Sequence, residues 1–221
     1  MSFAFPQYVK IKDNYCCCYL GNTAEYIVQL KLLRPHIEKQ LPGLHVYIAC
    51  KDNFYYLIED EPRTVRSSEM KDLKHLFAYV RNISFVKAHP ILSFIQESQL
   101  EIPVIATPTI TKGTALICPE GILPTQSLTL KNVEMLKQKV KSLGYDPIVI
   151  GSDIHATLLI DLRPYGKEKL EYIKSAAMVI GVENEYLFLA GGMGKDTTLI
   201  PTGLGAELYK KMFPENKILK I

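Results

Sequence analysis

Apolar and polar positions alternate along the chain in blocks that predict strands and helices in turn. Residues 15–20 form a short, continuous apolar run, which is typical of a strand that is buried on both faces. Thr23 is a good N-cap for a helix over residues 24–40, where apolar side chains recur every three or four positions and Pro35 predicts a kink or break. A Pro-Gly pair ends this helix, and residues 44–50 are a second apolar run. These blocks predict a parallel βαβ unit.

The alternation of strand-like and helix-like blocks continues to the end of the chain. Before residue 107 the pattern predicts helices over 69–79 and 91–99, a strand over 83–87, and a strand or connector over 102–106. After residue 113 it predicts helices over 130–143, 167–175, 186–193 and 206–213 and strands over 115–118, 147–151, 158–161, 177–181, 197–200 and 217–221. The segment 107–113, Thr-Pro-Thr-Ile-Thr-Lys-Gly, predicts a linker between these parts.

This order of elements places the chain in the α/β fold class. Two successive α/β units joined near residue 110 predict two Rossmann-like domains, 1–110 and 111–221, that face each other across a cleft. A single α/β domain, whose one sheet runs continuously through both halves, is the alternative.

Composition and charge narrow the class of protein. The 221 residues are 48% hydrophobic and 22% charged, and their net charge of +3 is spread over both halves, so we expect a folded protein without a nucleic-acid partner. Five cysteines are an odd number and three are consecutive, which excludes a disulfide framework. No apolar run approaches the roughly 18–20 residues that span a bilayer, and the start MSFAFPQYVKIKDNY lacks the regions of a signal peptide. We therefore expect a cytoplasmic protein with reduced cysteines and no transmembrane segment.

Three segments, taken in order, carry a resemblance to a known family. Residues 16–50 read CCCYLGNTAEYIVQLKLLRPHIEKQLPGLHVYIAC, residues 115–121 read ALICPEG, and residues 180–197 read IGVENEYLFLAGGMGKDT. Together they resemble the glycosyltransferase family of the ADP-heptose:lipopolysaccharide heptosyltransferases, whose pattern in the third segment is Ile-Gly-x-Asp-Ser-Gly-x-x-His-x-Ala-x-x-x-Gly-Lys-Pro-Thr. The residues that match this pattern are Ile180, Gly181, Ala190, Gly194, Lys195 and Thr197.

The resemblance implies a compact, divergent member with the two-domain GT-B fold. Such an enzyme transfers a sugar from a nucleotide-sugar donor to a saccharide or other hydroxyl acceptor, without a metal or other cofactor. Residues 1–110 would form the acceptor-side domain and residues 111–221 the donor-side domain. Glu25, near the position of the family's catalytic aspartate, would be the general base that takes the proton of the acceptor hydroxyl. The residues that would bind the substrates are Gly21, Asn22, Thr23, Pro119, Glu120, Gly121, Glu183, Asn184 and Glu185.

Several of these candidates also have a purely structural interpretation. Glu25 would favour the first turn of its helix through the helix dipole, and Asn184 would be an ordinary N-cap. Asp153 and His155 follow a predicted strand at the edge where open α/β sheets bind ligands, so they would contact a nucleotide or sugar, or form an exposed turn. The glycine-rich segment 191–195 lacks the spacing of a phosphate loop, and predicts close packing of a helix against the sheet or a helix C-cap.

The sequence departs from the family pattern at the start of the helix in the third segment. Glu183, Asn184 and Glu185 replace Asp-Ser-Gly, and Phe188 replaces the histidine. A helix N-terminus binds phosphate through free N–H groups and the positive end of its dipole, and two carboxylates there would repel a diphosphate. Two hypotheses follow: a glycosyltransferase that holds its donor differently, or a catalytically lapsed copy of the fold that serves as a binding or scaffold protein.

Overall fold

The chain divides into two compact units, Met1–Pro103 and Val104–Ile221. A computed structural model describes residues 15–21, 23–73, 79–83, 90–97, 99–104, 113–121, 123–151, 160–203 and 205–220. The described strands form two separate parallel sheets, one of four strands in the first unit and one of five strands in the second. The hypothesis of one continuous sheet is therefore wrong. The predicted linker at 107–113 lies outside the described residues except for Gly113.

The first unit is built on the strands β1 (Tyr15–Gly21), β2 (Leu44–Cys50), β3 (Thr64–Arg66) and β4 (Tyr79–Ile83). They lie in the order β3-β2-β1-β4, and every neighbouring pair is parallel. The chain moves outward from β1 to β2 and β3, and then returns to the other side of β1 as β4. The strand order therefore reverses between β1 and β4, and open α/β sheets bind ligands at the carboxyl ends of the strands at such a point.

Helix α1 (Ala24–Gln40) connects β1 to β2 over the predicted range. Thr23 caps it, since the Thr23 Oγ1 accepts a hydrogen bond at 3.4 Å from the backbone N–H of the third helical residue. Of the kink or break predicted at Pro35, the break is wrong, because the helix continues through this exposed residue. Pro35 removes one backbone hydrogen bond, but the buried side chains of Leu33 and Ile37 hold the helix in the core on either side of it.

The rest of the first unit contains a 3₁₀ helix (Asp52–Leu57) and two short helices, α2 (Met70–Leu73) and α3 (Pro90–Glu97). The predicted helix over 69–79 is wrong at its end and the predicted strand over 83–87 starts too late, because β4 begins at residue 79. The whole of β4 pairs with β1, so this non-local ladder outweighs the local helical period. Residues 102–104 form a connector without helix or strand.

The second unit is built on the strands β5 (Thr114–Cys118), β6 (Asp146–Val149), β7 (Met178–Gly181), β8 (Asp196–Leu199) and β9 (Lys217–Ile218). Their order is β6-β5-β7-β8-β9, again parallel throughout. The order therefore reverses between β5 and β7. The predicted strand over 158–161 is not formed at residues 160 and 161, and its first two residues lie outside the described part. The neighbouring Leu162 makes only an isolated bridge with Ile150.

Four helices accompany this sheet: α4 (Leu130–Ser142), α5 (Glu168–Ser175), α6 (Glu185–Gly192) and α7 (Gly205–Met212). Each agrees with its predicted range within a residue at either end. Val133, Leu136 and Val140 of α4 are buried in one apolar cluster with residues of β5, β6 and β7. Burial of these side chains holds α4 on the sheet and fixes the strands whose carboxyl ends carry the candidate site.

The glycine-rich segment 191–195 has the structural role expected from its spacing. Gly191 lies against the ring of Phe213, and a Cβ added there would be 2.6 Å from a ring carbon. Gly194 has a φ of +72°, in the left-handed region that commonly follows a helix end. Lys195 Nζ donates hydrogen bonds of 2.5 and 3.0 Å to two backbone carbonyl oxygens at the end of α5. The predicted helix cap is therefore confirmed at Gly194, whereas Gly191 packs against Phe213, directly after α7, and not against the sheet.

One buried cysteine in each unit is expected to resist alkylation. Cys50 ends β2 and Cys118 ends β5, and both are free thiols without exposed surface. Burial raises the pKa of Cys50 to about 12 and the pKa of Cys118 well above its ordinary value, so almost no thiolate forms near neutral pH. We expect iodoacetamide to label neither cysteine in the folded protein and both in denaturant, as measured by peptide mass spectrometry. Labelling of either peptide in the folded protein would contradict this expectation.

Candidate functional site

Polar residues follow the two strands between which the order of the second sheet reverses. The parallel register pairs Cys118, the last residue of β5, with Gly181, the last residue of β7, so the two strand ends lie side by side. The structure therefore brings together, at one sheet edge, candidate residues that are far apart in sequence. They are Pro119, Glu120 and Gly121 after β5 and Glu183, Asn184 and Glu185 after β7.

Asn184 joins the two strand ends. It is buried, with 4% of its surface exposed, and its Nδ2 donates to the backbone oxygens of Glu120 at 2.9 Å and Cys118 at 3.5 Å. Its Oδ1 accepts a hydrogen bond from Leu187 N at 3.1 Å, which is the N-cap bond of α6. Both ends of the amide are used within the protein, so Asn184 shapes the sheet edge and the helix start.

The two carboxylates beside Asn184 both have partners. Glu183 is buried and accepts hydrogen bonds of 2.8 to 3.1 Å from the backbone N–H groups of Thr202 and Gly203 and from the Thr202 hydroxyl. Glu185 Oε1 lies 3.2 Å from Lys169 Nζ. Neither carboxylate is left to face a ligand unpaired, so this helix start does not favour the hypothesis of a lapsed copy.

Phe188, which replaces the histidine of the family pattern, belongs to the core. It has no exposed surface, and its ring makes edge contacts with Tyr209 and Phe213 at centroid distances of 5.3 and 6.4 Å. Aromatic pairs in this geometry stabilise a core beyond the area that they bury. Packing between α6 and α7 therefore explains the apolar residue at this position.

The loop after β5 is folded against the sheet edge. The carboxylate of Glu120 lies over Gly151, where an added Cβ would be 2.7 Å from Glu120 Oε2. Arg163 Nη1 lies 4.0 Å from Glu120 Oε1. The backbone N–H of Gly121 donates to Ser127 Oγ at 3.0 Å. These contacts hold the Pro-Glu-Gly turn in a defined position at the carboxyl end of β5.

An open pocket of about 850 Å³ lies in the second unit, where the loop after β5, the loop after β8 and helix α7 meet. Its volume is within the range of about 300–1,000 Å³ that is usual for small-molecule sites. Lys210 is the only positively charged side chain among the described residues that line it. The lining residues are Thr125, Gln126, Pro201, Thr202, Gly203, Ala206, Glu207 and Lys210. The pocket has the size of a small-molecule site, and its described charged lining residues are Lys210 and Glu207.

The local sequence pattern does not predict the pocket residues Thr125, Gln126, Thr202 and Lys210. In the sequence, these residues are indicated only by their position: two of the pocket loops follow predicted strands. In open α/β sheets, ligands bind at the carboxyl ends of the strands. The order of the strands, which places β5 and β8 on either side of β7, comes from the structure.

The candidate residues of the first unit lie at the carboxyl end of β1. Gly21 is the last residue of β1, Thr23 caps α1, and Glu25 is in the first turn. Glu25 is 3% exposed, and its Oε1 accepts a hydrogen bond from Gln29 Nε2 at 2.7 Å. Burial raises the pKa of the neighbouring Tyr26 well above its ordinary value, and the negative charge of Glu25 raises it further. Glu25 is thus a buried carboxylate at the point where the order of the first sheet reverses.

Three candidate residues, Asn22, Asp153 and His155, lie outside the described residues. Within the ranges that the structure describes, no three His, Cys, Asp or Glu side chains are grouped so that they could hold a metal ion. In the same part of the chain, none of the helices combines the length and the apolar character needed to cross a membrane.

Comparison with known proteins identifies solved structures that have a similar fold. The sequence matches no protein-family model and no curated protein. The structure is similar to the iron-containing dodecameric glycosyltransferase TibC from enterotoxigenic E. coli H10407, with a TM-score of 0.61, 13% sequence identity, and coverage of 87% of this chain and 61% of TibC. For the heptosyltransferase TibC in complex with ADP-D-beta-D-heptose the TM-score is 0.61 and the identity 12%, with coverage of 87% and 59%.

A family 9 glycosyltransferase from Veillonella parvula DSM 2008 is similar over almost the whole chain. Its TM-score is 0.59 and its identity 6%, with coverage of 97% of this chain and 88% of that protein. This chain has the fold of these glycosyltransferases. The resemblance seen in the sequence is thereby confirmed at the level of the fold. The chain spans 61% and 59% of the length of the two TibC structures.

Proposed function

We propose that the protein transfers a sugar from a nucleotide-sugar donor to a saccharide or other hydroxyl acceptor. The observation that supports this most is the likeness of 87% of the chain to TibC, a glycosyltransferase whose structure contains ADP-D-beta-D-heptose. In this proposal, residues 1–110 and 111–221 are Rossmann-like domains of the GT-B type that face a cleft. The acceptor binds on the side of the first domain and the donor on the side of the second.

We place the donor in the pocket beside the reversal of the second sheet. Lys210 provides a positive charge and Thr125 a hydroxyl group, and both kinds of group bind phosphate oxygens. Gly121 lies against Gln126, since an added Cβ at Gly121 would be 2.7 Å from Gln126 Cβ, and Gln126 also lines the pocket. The polar edge of the sheet and the pocket are therefore neighbouring parts of one donor site.

In the proposed reaction, Glu25 is the general base. Its carboxylate takes the proton of the acceptor hydroxyl while the hydroxyl oxygen forms a bond to the anomeric carbon of the donor. The bond between the anomeric carbon and the diphosphate oxygen breaks, and the nucleoside diphosphate leaves with the bonding electrons. Lys210 stabilises the negative charge that develops on the leaving diphosphate.

Nucleotide binding tests this proposal. We expect the purified protein to bind a nucleoside diphosphate such as ADP, UDP or GDP, free or linked to a sugar, in titration calorimetry. Lys210→Met should weaken this binding about 10-fold or more, because a hydrogen bond between charged groups contributes about 1.5–3 kcal/mol. Lys141→Met is the matched control, since it removes the same charge from an exposed position on α4, outside the pocket. It should leave the affinity unchanged.

A wild-type protein that binds none of these nucleotides at millimolar concentration would contradict the proposal. Equal affinities of Lys210→Met and the wild type would retain the proposed function but remove Lys210 from the phosphate site. An assay of nucleoside diphosphate release, with and without saccharide acceptors, then separates a transferase from a binding protein of the same fold. We expect release that depends on the acceptor.

A further inference from the structure

Three hydrogen-bond donors in the loop after β8 are directed at one buried carboxylate. Glu183 Oε1 accepts from Thr202 N at 3.1 Å and Gly203 N at 3.0 Å. Glu183 Oε2 accepts from Thr202 N at 3.0 Å and from the Thr202 hydroxyl at 2.8 Å. Glu183 is 5% exposed, whereas Thr202 and Gly203 line the pocket. The carboxylate therefore fixes this wall of the pocket from its buried side.

Gly203 is also fixed by the loop after β5. An added Cβ at Gly203 would lie 2.5 Å from Gln126 Nε2, so the amide of Gln126 occupies the place of a side chain. Gln126 Oε1 accepts a hydrogen bond from Leu123 N at 3.2 Å, which holds the amide in its own loop. The two pocket loops meet at this glycine, and Glu183 and Gln126 together set their relative position.

The donors that Glu183 uses are not available to a ligand. Phosphate oxygens require N–H or O–H donors, and those of Thr202 and Gly203 are already bonded to the carboxylate. A phosphate at this wall would also lie near the negative charge of Glu183. Because Glu183 is buried, solvent and salt screen this charge only weakly. The Thr202 oxygen, whose proton points to Glu183, can accept a hydrogen bond but not donate one. An acceptor of this kind suits the hydroxyl group of a sugar.

We infer that the loop after β8 binds a hydroxyl group of the ribose or of the transferred sugar, and not the phosphates of the donor. Thr202 is then a binding residue. Glu183 is the positioning residue, because it accepts the hydrogen bond of the Thr202 hydroxyl and fixes the loop. The inference rests on the proposed function, because it takes the pocket to be the donor site. It leaves the phosphates to the α7 side of the pocket, where Lys210 lies and where the Glu207 carboxylate is paired with Lys211 Nζ at 2.9 Å.

Hydrogen exchange tests the positioning role without a ligand. Glu183→Gln keeps the shape of the side chain but replaces one acceptor oxygen with an NH₂ group that faces other donors. We expect amide exchange at Thr202 and Gly203 to become about 10-fold faster or more, because hydrogen bonds to a charged acceptor are lost. Lys195→Met is the matched control: Lys195 directly precedes β8, at the opposite end of this strand from the loop, and the variant removes two contacts to backbone oxygens at the end of α5. It should leave exchange in this loop unchanged, and unchanged exchange in Glu183→Gln would show that Glu183 does not hold the loop.

Ligands with and without sugar hydroxyls test the binding role. Thr202→Val should lower the affinity for a ligand that carries the recognised hydroxyl about 3- to 10-fold. It should lower the affinity for inorganic pyrophosphate by less than about 2-fold. If the hydroxyl belongs to the ribose, the nucleoside diphosphate and its nucleotide sugar both show the loss, and the 2′,3′-dideoxy nucleoside diphosphate does not. If it belongs to the transferred sugar, only the nucleotide sugar shows the loss. Glu183→Gln should lower the affinity for the ligands that also lose affinity in Thr202→Val. Removal of a negative charge alone would instead strengthen anion binding.

Two results would overturn the inference and leave the proposed function intact. If pyrophosphate loses as much affinity as the nucleotides in Thr202→Val, the loop binds phosphate. If the wild type binds nucleotides and no ligand loses affinity in Thr202→Val, the loop does not contact the ligand. A wild-type protein that binds no nucleotide at all would instead overturn the proposed function together with the binding role of Thr202, and the exchange rates would still decide the role of Glu183.

Discussion

For the proposed reaction, we expect replacement of Glu25 with glutamine to slow sugar transfer by about 10²- to 10⁴-fold, which is the contribution of a general base in enzymes. Glutamine keeps the size of this buried side chain and still offers an acceptor oxygen to Gln29, but it cannot take the proton of the acceptor hydroxyl. The affinity for the donor should stay within about 2-fold of the wild type, because the proposed contacts to the diphosphate come from Lys210 and Thr125 and not from Glu25. The measurements are kcat for release of the nucleoside diphosphate and donor affinity by calorimetry.

Glu38→Gln is the matched control for this experiment. Glu38 lies on the same helix as Glu25, and its carboxylate has a structural partner in Arg63, at 2.6 Å. This variant should lower the Tm without lowering kcat. If Glu25→Gln likewise lowered the Tm and left kcat unchanged, Glu25 would act only on the first turn of α1, through the helix dipole.

Replacing Gly181 with alanine will destabilise the second unit by about 3 kcal/mol, the upper part of the range for overpacking. An added Cβ would lie 2.8 Å from Cys118 Cβ and closer still to the Cys118 carbonyl oxygen. That oxygen accepts hydrogen bonds from Val182 N at 3.2 Å and Asn184 Nδ2 at 3.5 Å, so its displacement disturbs the junction of β5 and β7. The free energy of unfolding of this unit is measured by urea denaturation, with alkylation of the buried Cys118 as the probe of unfolding at each urea concentration.

Gly144→Ala is a suitable comparison in the same unit. Gly144 has a φ of +85° and no atom within 4 Å of an added Cβ, so alanine there meets only the strain of the left-handed conformation. That strain amounts to about 1–2 kcal/mol. A loss at Gly181 no larger than the loss at Gly144 would show that the junction of β5 and β7 can accept another methyl group.

The elements that could be predicted from the sequence are those whose signals lie within a few residues. Helix α1 begins after its predicted cap Thr23, and α4 to α7 agree with their predicted ranges, because a cap and an apolar period specify a helix from neighbouring positions. Strand β4 could not be placed in this way, because its residues are ordered by pairing with β1, far back along the chain. The continuity of α1 through Pro35 likewise depends on tertiary packing.

The candidate site could be predicted in part. The positions of Glu25, Glu120 and Asn184 at sheet edges follow from recognising strands and the residues after them. The partners of Glu183 could not be predicted, because Thr202 and Gly203 lie 19 and 20 residues further along the chain and return only because β8 pairs with β7. The sequence therefore suggests a carboxylate that faces a ligand, where the structure has a buried carboxylate that is hydrogen-bonded to a pocket loop.

The amide of Asn184 bears on the kinetics of unfolding of the second unit. It bonds to backbone oxygens 64 and 66 residues earlier in the chain. These bonds require β5 and β7, which are neighbours in the sheet but are separated in sequence by β6, to be already paired. Contacts of such long range form late in folding, because the entropy of closing the loop must first be overcome. Interactions absent from the transition state slow unfolding without speeding folding. Asn184 therefore lengthens the lifetime of the folded sheet edge rather than hastening its formation.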